Sequence, residues 1–186
     1  MLIIFEGPDG SGKSTLQDKV CEVMCKYSPA IKVMNNAEWL IPTHPKSNTR
    51  VSERELYKQL KRMATCKDTV YLVNRGPISD IIYRIFDDYP TVTTFPKLLD
   101  FIVKYQRQII IVYCNSKIAE QKMLERGDEN PIAISRHKEI SKIYDLLMGI
   151  IGANVRYSLK KFDMAKKNDT NRIIGDITYT CYILGL

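Results

Sequence analysis

Gly7-Pro8-Asp9-Gly10-Ser11-Gly12-Lys13-Ser14, followed by Thr15, is the stretch on which the reading of this chain turns. It fits G-x-x-x-x-G-K-[ST], the phosphate-binding P-loop, which needs a strand before it and a helix after it. Leu2-Ile3-Ile4-Phe5 is a short apolar run that reads as a buried strand. Leu16, Val20, Val23 and Met24 recur at the spacing of one helical face. Gly7, Gly10 and Gly12 permit a tight turn whose N–H groups point inward at an anion. The helix that opens at Lys13 adds its positive end. Lys13 carries a full charge to the outer phosphates, and the Ser14 hydroxyl can bind Mg²⁺. Gly7, Gly10, Ser11, Gly12, Lys13, Ser14 and Thr15 are thus the expected ATP-binding set.

Working outward, the chain of 186 residues suggests one domain, 1–186, long enough to bury a core. Lys and Arg number 28 against 21 Asp and Glu, a net charge of +7. Such a balance suits an anionic partner, either nucleotides or nucleic acid, and equally serves solubility. Five scattered cysteines (Cys21, Cys25, Cys66, Cys114 and Cys181) show no paired zinc-site spacing, so reduced, mostly buried thiols in a cytoplasmic protein are expected. The N-terminus runs straight into the first strand, with no signal-peptide pattern, and no apolar run is long enough to span a membrane.

Further along, Ile31 to Met34 reads as a second strand and Asn35 to Asn48 as a loop. Ser52-Glu53-Arg54-Glu55 has capping-box spacing and opens a helix to about Ala64. Val70 to Val73 is a third strand, ended by Asn74-Arg75-Gly76-Pro77, and helices follow from Ile78 to Phe86 and from Pro96 to about Lys104. Gln108 to Tyr113, apolar over Ile109 to Val112, reads as a central parallel strand. Ser116 caps a helix to about Arg126, Gly127 to Pro131 breaks it, and Ser135 caps another to about Met148. Val155 to Phe162, polar at alternate positions, is a fifth strand near an edge, and Thr170 opens the last helix. The alternation predicts an α/β fold with a five-stranded parallel sheet covered by helices on both faces, with ligands at the carboxyl ends of the strands.

At this point the chain resembles the thymidylate kinase-like nucleoside monophosphate kinases, in particular their small phage-encoded members. Phe5-Glu6-Gly7-Pro8-Asp9-Gly10-Ser11-Gly12-Lys13-Ser14-Thr15 is similar to that family's P-loop, with an acid at the third loop position. Asn74-Arg75-Gly76-Pro77-Ile78-Ser79 with Ile81-Ile82-Tyr83 resembles its Asp-Arg-aromatic signature. Leu124 to Glu129, continuing to Ile143-Tyr144, resembles its arginine-bearing lid and the helix after it. The resemblance implies a three-layer P-loop NTPase fold with a small lid at about 126–137, ATP as co-substrate, Mg²⁺ as cofactor, a homodimer and, for a phage-encoded enzyme, the host cytoplasm. Two departures stand out. Asn35-Asn36-Ala37-Glu38-Trp39 replaces Arg-Glu-Pro after the second strand, and Asn74 replaces an Asp.

Roles follow from chemistry and resemblance together. Phosphoryl transfer needs in-line positioning and neutralised oxygens more than covalent help. Lys13 and a metal on Ser14 serve the donor. Arg75, at the end of the third strand, can form a bidentate pair with an acceptor phosphate, which is the role the resemblance implies, or a surface salt bridge. The resemblance gives Asp9 a hydrogen bond to a deoxyribose 3′-hydroxyl, while Pro8-Asp9-Gly10 is also a good turn sequence. Glu6 either orients metal waters, as Asp9 could, or pairs with Arg75. With Gly10 in the loop where the family can carry an arginine, Arg126 or Arg136 is expected to supply the catalytic charge from the lid. Arg126 could instead close a helix end, and Arg136, beside His137, could be solvated charge. Trp39 is either a stacking platform for the acceptor base or core, with Tyr83 or Tyr57 lining the same pocket. The loop Met164 to Asn168 borders the donor base by analogy.

The leading reading is a kinase that transfers the ATP γ-phosphoryl group to a dNMP, a pyrimidine such as dTMP or an analogue. A deoxynucleoside kinase is the alternative, with Glu38 as the base for a 5′-hydroxyl. A non-kinase P-loop switch or nucleic-acid module is the third. It would need an Asp-x-x-Gly at the third strand or clustered basic residues, and the chain has Asn74-Arg75-Gly76-Pro77 and dispersed Lys and Arg.

Overall fold

The computed structural model describes residues 1–27, 32–35, 51–86, 90–115, 118–125, 131–155, 158–166 and 168–183. Five strands, β1 (Leu2–Glu6), β2 (Lys32–Met34), β3 (Thr69–Asn74), β4 (Ile109–Cys114) and β5 (Leu159–Phe162), form one parallel sheet in the order β2-β3-β1-β4-β5. The helices are α1 (Lys13–Tyr27), α2 (Glu53–Thr65), α3 (Pro77–Phe86), α4 (Phe95–Lys104), α5 (Ala119–Glu125), α6 (Pro131–Asn154) and α7 (Asp169–Ile183). This is the three-layer α/β architecture expected from the alternating pattern.

Hydrophobicity explains the strand positions. Every residue of β1 and β4 is buried, as continuous apolar strands covered on both faces must be. On one face Leu2 and Ile4 pack with Leu56, Leu60 and Met63 of α2, Ile78 and Ile82 of α3, and Tyr144 and Met148 of α6. On the other, Ile3 and Phe5 pack with Leu16 and Val20 of α1 and Ile173 and Ile177 of α7. β5, carrying Lys160 and Lys161, is an edge strand as its alternation suggested. α2 starts with the expected capping box: the Glu55 N–H donates to Ser52 Oγ at 3.2 Å, and the Ser52 N–H donates back to Glu55 Oε2 at 2.9 Å.

Two boundaries correct the sequence reading. α6 begins at Pro131, four residues before Ser135, so Ser135 lies within the helix instead of capping it. Proline breaks a helix from inside but suits its first position, where no N–H is needed. α6 also runs past Met148 to Asn154, because Tyr144, Met148 and Ile151 keep one face buried through Gly149 and Gly152. Val155 closes that helix, and the fifth strand is correspondingly shorter than expected. The expected cap at Ser116 lies outside the described residues.

The joint that places the site is between β1 and α3. Glu6 ends β1 with no exposed surface. Its Oε1 accepts the N–H groups of Gly76 at 2.9 Å and Ile78 at 3.2 Å, and its Oε2 accepts the Ser79 N–H at 3.1 Å and the Ser79 hydroxyl. These are the orphan donors of a helix N-terminus, and a carboxylate there also meets the positive end of the dipole. Burial pushes the Glu6 pKa up, while the Ser79 and Gly76 donors pull it back. Gly76 is required at this joint, since a Cβ would lie 2.6 Å from Ile4 Cγ2 and 2.9 Å from Glu6 Oε1. Glu6→Leu should strand three buried N–H donors and cost more than about 3 kcal/mol of stability in urea unfolding, with Glu6→Gln costing less. Equal stability of Glu6→Leu and the wild type would contradict this account of the joint.

Candidate active site

The loop between β1 and α1 takes the backbone form its glycines allow. Gly7, Gly10 and Gly12 have φ of 144°, 72° and 81°, a region disfavoured for side chains. Space is equally restrictive. A Cβ on Gly7 would lie 2.0 Å from the Cys114 carbonyl oxygen, and one on Gly10 would lie 2.3 Å from that of Ala119 in α5. Position 10 therefore has no room for a side chain such as arginine. Gly12 faces Met164, so the segment after β5 packs directly on the loop.

Lys13 is buried and its three ammonium protons find three acceptors: the carbonyls of Gly7 at 2.9 Å and Pro8 at 2.6 Å, and Ser11 Oγ at 3.3 Å. The loop thus holds its own cation in the concavity where phosphate oxygens would replace those carbonyls. Burial, with the nearby Arg75 charge, lowers the Lys13 pKa to about 8. Ser14 and Thr15 are exposed on the first turn of α1. The Ser14 hydroxyl accepts from Asn74 Nδ2 at 2.8 Å, which ties α1 to the end of β3.

Arg75 follows Asn74 with φ 62°, an unusual conformation for a side-chain-bearing residue. Its N–H still donates to Phe5 O at 2.9 Å, extending the ladder one step past the strand. The turn aims the guanidinium at the P-loop, where it forms an ion pair with Asp9 Oδ1. The Tyr83 hydroxyl donates to Asp9 Oδ2 at 3.1 Å, and the Arg75 guanidinium carbon lies 4.9 Å from the Tyr83 ring centroid. Burial works against the Arg75 charge, but Tyr83 and Asp9 more than offset it and hold its pKa above the ordinary value. Burial pushes the Tyr83 phenol up to about 12, so it is a neutral donor at physiological pH. Asp9 spans two elements instead of only stabilising its own turn.

Several expectations change at this point. Glu6 turns both carboxylate oxygens to α3, away from a metal-water role and away from an Arg75 ion pair. Asp9 is engaged by Arg75 and Tyr83, so it too is drawn away from metal water. Arg136 lies on α6, but its Nη1 donates to Phe86 O at 2.8 Å and its guanidinium stands 5.8 Å from the Phe86 ring, so it closes the end of α3. Tyr57 bonds Thr93 Oγ1 at 2.8 Å and packs on Phe101, a structural contact between α2 and α4. Arg126, Trp39 and Glu38, and residues 126–130 of the lid expected at about 126–137, lie outside the described residues; 131–137 form the first turns of α6.

His137 was not singled out as a site residue. Its ring Nε2–H donates to the Asp9 carbonyl at 3.2 Å, so α6 grips the P-loop directly. The only signal in the sequence was its place after Arg136. Ser79 and Tyr144 likewise share a hydrogen bond of 2.7 Å behind Glu6.

Beside the loop after β5 lies a cavity of about 290 Å³, lined by Asn115, Asp145, Lys161, Asp163, Lys166 and Arg172 among others. Asp145 accepts from Tyr113 Oη at 2.7 Å and from Asn115 Nδ2 at 3.1 Å. Arg172 braces the loop through Asp169 Oδ1 and Lys161 O, both at 2.7 Å.

The donor set suits a divalent cation that arrives with a nucleotide. The exposed Ser14 hydroxyl is the hard oxygen Mg²⁺ takes, and nucleotide phosphates and water would supply the rest. Among the described residues no cluster of three or more His, Cys, Asp or Glu side chains gathers to hold a metal by itself.

Comparison with known proteins places this geometry in a fold. No protein-family model matches the sequence, and no curated protein sequence does. Solved structures do match. The YorR protein of Bacillus subtilis, in complex with phosphorylated GDP, superposes with a TM-score of 0.69 at 20% identity, covering 98% of this chain and 96% of its own. Deoxyadenosine kinase from M. mycoides with bound dATP gives 0.54 at 15% identity, covering 96% and 100%. Shikimate kinase from Acinetobacter baumannii, in complex with shikimate, gives 0.52 at 13% identity, covering 100% and 94%. The chain therefore has the α/β fold of the P-loop kinases. Among the described residues no helix is long and apolar enough to cross a membrane.

The lowered Lys13 pKa carries a pH prediction. Bound phosphates favour the ammonium, so they raise this pKa, and binding above about pH 8 must take up a proton. ADP affinity should fall by up to about tenfold per pH unit above that value and vary little from pH 7 to 8. Calorimetry at pH 9 in buffers of different ionisation enthalpy should show proton uptake; binding with no proton exchange at pH 9 would contradict the assignment.

Proposed function

We propose that this P-loop kinase fold transfers the ATP γ-phosphoryl group to a deoxynucleoside monophosphate, giving ADP and a deoxynucleoside diphosphate. The observation that carries this reading is the Arg75–Asp9–Tyr83 cluster beside the P-loop lysine. A guanidinium turned into the site by a positive-φ turn is suited to a second anion, and the carboxylate on it occupies the place an acceptor phosphate would take. The P-loop N–H groups and Lys13 hold the donor phosphates. Ser14 would hold Mg²⁺ brought with ATP, and that ion would help to neutralise the charge that develops on the transferring group. When the acceptor phosphate takes Arg75, the Asp9 carboxylate is freed toward the sugar, where a 3′-hydroxyl could donate to it. Tyr83 covers the same side. The cavity between β4, β5 and α7 would receive the donor base. A pyrimidine base, a catalytic lid arginine (Arg126), stacking on Trp39, a cytoplasmic setting, a homodimer and kinship with phage thymidylate kinase-like enzymes belong to this proposal. Arg136 enters only if closure draws it off Phe86.

A second reading has an observation of its own. One structural neighbour is a deoxyadenosine kinase, and a deoxynucleoside kinase would use a carboxylate, Glu38 in this reading, as the base for a 5′-hydroxyl. ADP release measured across deoxynucleoside monophosphates and unphosphorylated deoxynucleosides separates the two. Turnover of a dNMP is expected; turnover of nucleosides alone selects the second reading, and no turnover with any acceptor overturns both.

Two substitutions assign roles. Lys13→Ala should abolish turnover, and wild-type rates in that variant would remove Lys13 from the chemistry. Arg75→Ala should raise the acceptor KM about a hundredfold, the loss of a charge-assisted bidentate pair worth roughly 2–3 kcal/mol, and leave ATP binding nearly unchanged. An equal loss of ATP affinity would put Arg75 on the donor side.

A further inference from the structure

P-loop nucleotide hydrolases and transferases usually pair the loop hydroxyl with an aspartate that helps to hold the metal. In this chain the side chain that touches the Ser14 hydroxyl, among the described residues, is an amide. Asn74 Nδ2 donates to Ser14 Oγ at 2.8 Å from the end of β3, directly before Arg75. The two nearby carboxylates do not make up the missing charge. Glu6 is fully buried with its two oxygens on the α3 N-terminus, and Asp9 is divided between Arg75 and Tyr83. Meanwhile Lys13 and Arg75 bring two cations to the loop.

We propose that Asn74 is a positioning and specificity-determining residue. It fixes the Ser14 hydroxyl for a nucleotide-borne divalent cation while withholding the negative charge that would bind that cation tightly. The site then draws nucleotide affinity mainly from Lys13 and the loop N–H groups, and the metal adds a smaller, measurable share through the positioned Ser14 hydroxyl. An amide also keeps like charge away from the phosphates, so the metal-free nucleotide binds well. This inference rests on the reading of the loop as a nucleotide phosphate site.

The test needs no catalysis. ADP dissociation constants are measured by calorimetry with saturating Mg²⁺ and with EDTA, and their ratio gives the contribution of the metal. In Asn74→Asp, which keeps the shape and adds the charge, the ratio should rise about tenfold or more, the usual reach of a residue that orients a metal ligand. Metal-free ADP should bind this variant more weakly than wild type. In Asn74→Leu, which releases the Ser14 hydroxyl without adding charge, the ratio should fall toward one. A ratio within twofold of wild type in Asn74→Asp overturns the charge argument. An unchanged ratio in Asn74→Leu overturns the positioning argument, and this variant decides the matter should the aspartate variant fail to fold. Failure of wild-type protein to bind ADP under either condition overturns the phosphate-site reading itself, and the proposal with it.

Discussion

The buried Glu6 carboxylate is the interaction on which the site depends. A charged or polar group with no exposure is tolerated only when its lone pairs are filled, and here backbone and hydroxyl donors of the β3–α3 joint fill them. The arrangement works in both directions. The first N–H groups of α3 would otherwise be buried without acceptors, and Glu6 would be buried without donors. Their mutual satisfaction fixes the end of β3 against the end of β1. That fixed joint sets the turn at Arg75 and so aims its guanidinium at Asp9. Ser79 and Tyr144 extend the same hydrogen-bonded chain to α6. One carboxylate thereby couples the P-loop strand, Arg75 and the helix that grips the loop through His137.

The P-loop adds a second constraint, one of space. Its three glycines adopt positive φ, and two of them meet backbone carbonyls at distances that no side chain permits. The loop is therefore built tight against β4 and α5 before any ligand arrives. Lys13 is held by loop carbonyls, and Arg75 by a loop carboxylate. Lys13 is preorganised by neutral oxygen partners that an anionic phosphate could displace, whereas Arg75 is preorganised by a stronger, charge-assisted pair that a second anion would have to replace.

Much of this was legible in the sequence because local signals agree with the global fold. The P-loop spacing, the apolar runs of β1 and β4, and the capping box of α2 each identify an element without knowledge of its neighbours. The positions of Arg75 and Tyr83 followed from a strand end and a helix after it. Other features were not legible, since they depend on contacts between distant residues. Glu6 reads as a candidate for metal water until its burial against Gly76 and Ser79 is seen. Arg136 reads as a lid cation until the end of α3 is found beneath it. His137 has no local pattern at all, and its role arises from a contact across 128 residues. Pro131 is ambiguous by nature, a breaker inside a helix and a starter at its first turn, and in the fold it stands at the first position of α6.

The central claim is that Lys13 and Arg75 hold two phosphate-bearing ligands on either side of one transferring group. The most direct measurement follows the label from γ-³²P-ATP with Mg²⁺ and a mixture of deoxynucleoside monophosphates. The account predicts label on the β-phosphorus of a deoxynucleoside diphosphate, lost in Lys13→Ala. Label appearing only as inorganic phosphate, or remaining on ATP with every acceptor, would contradict it.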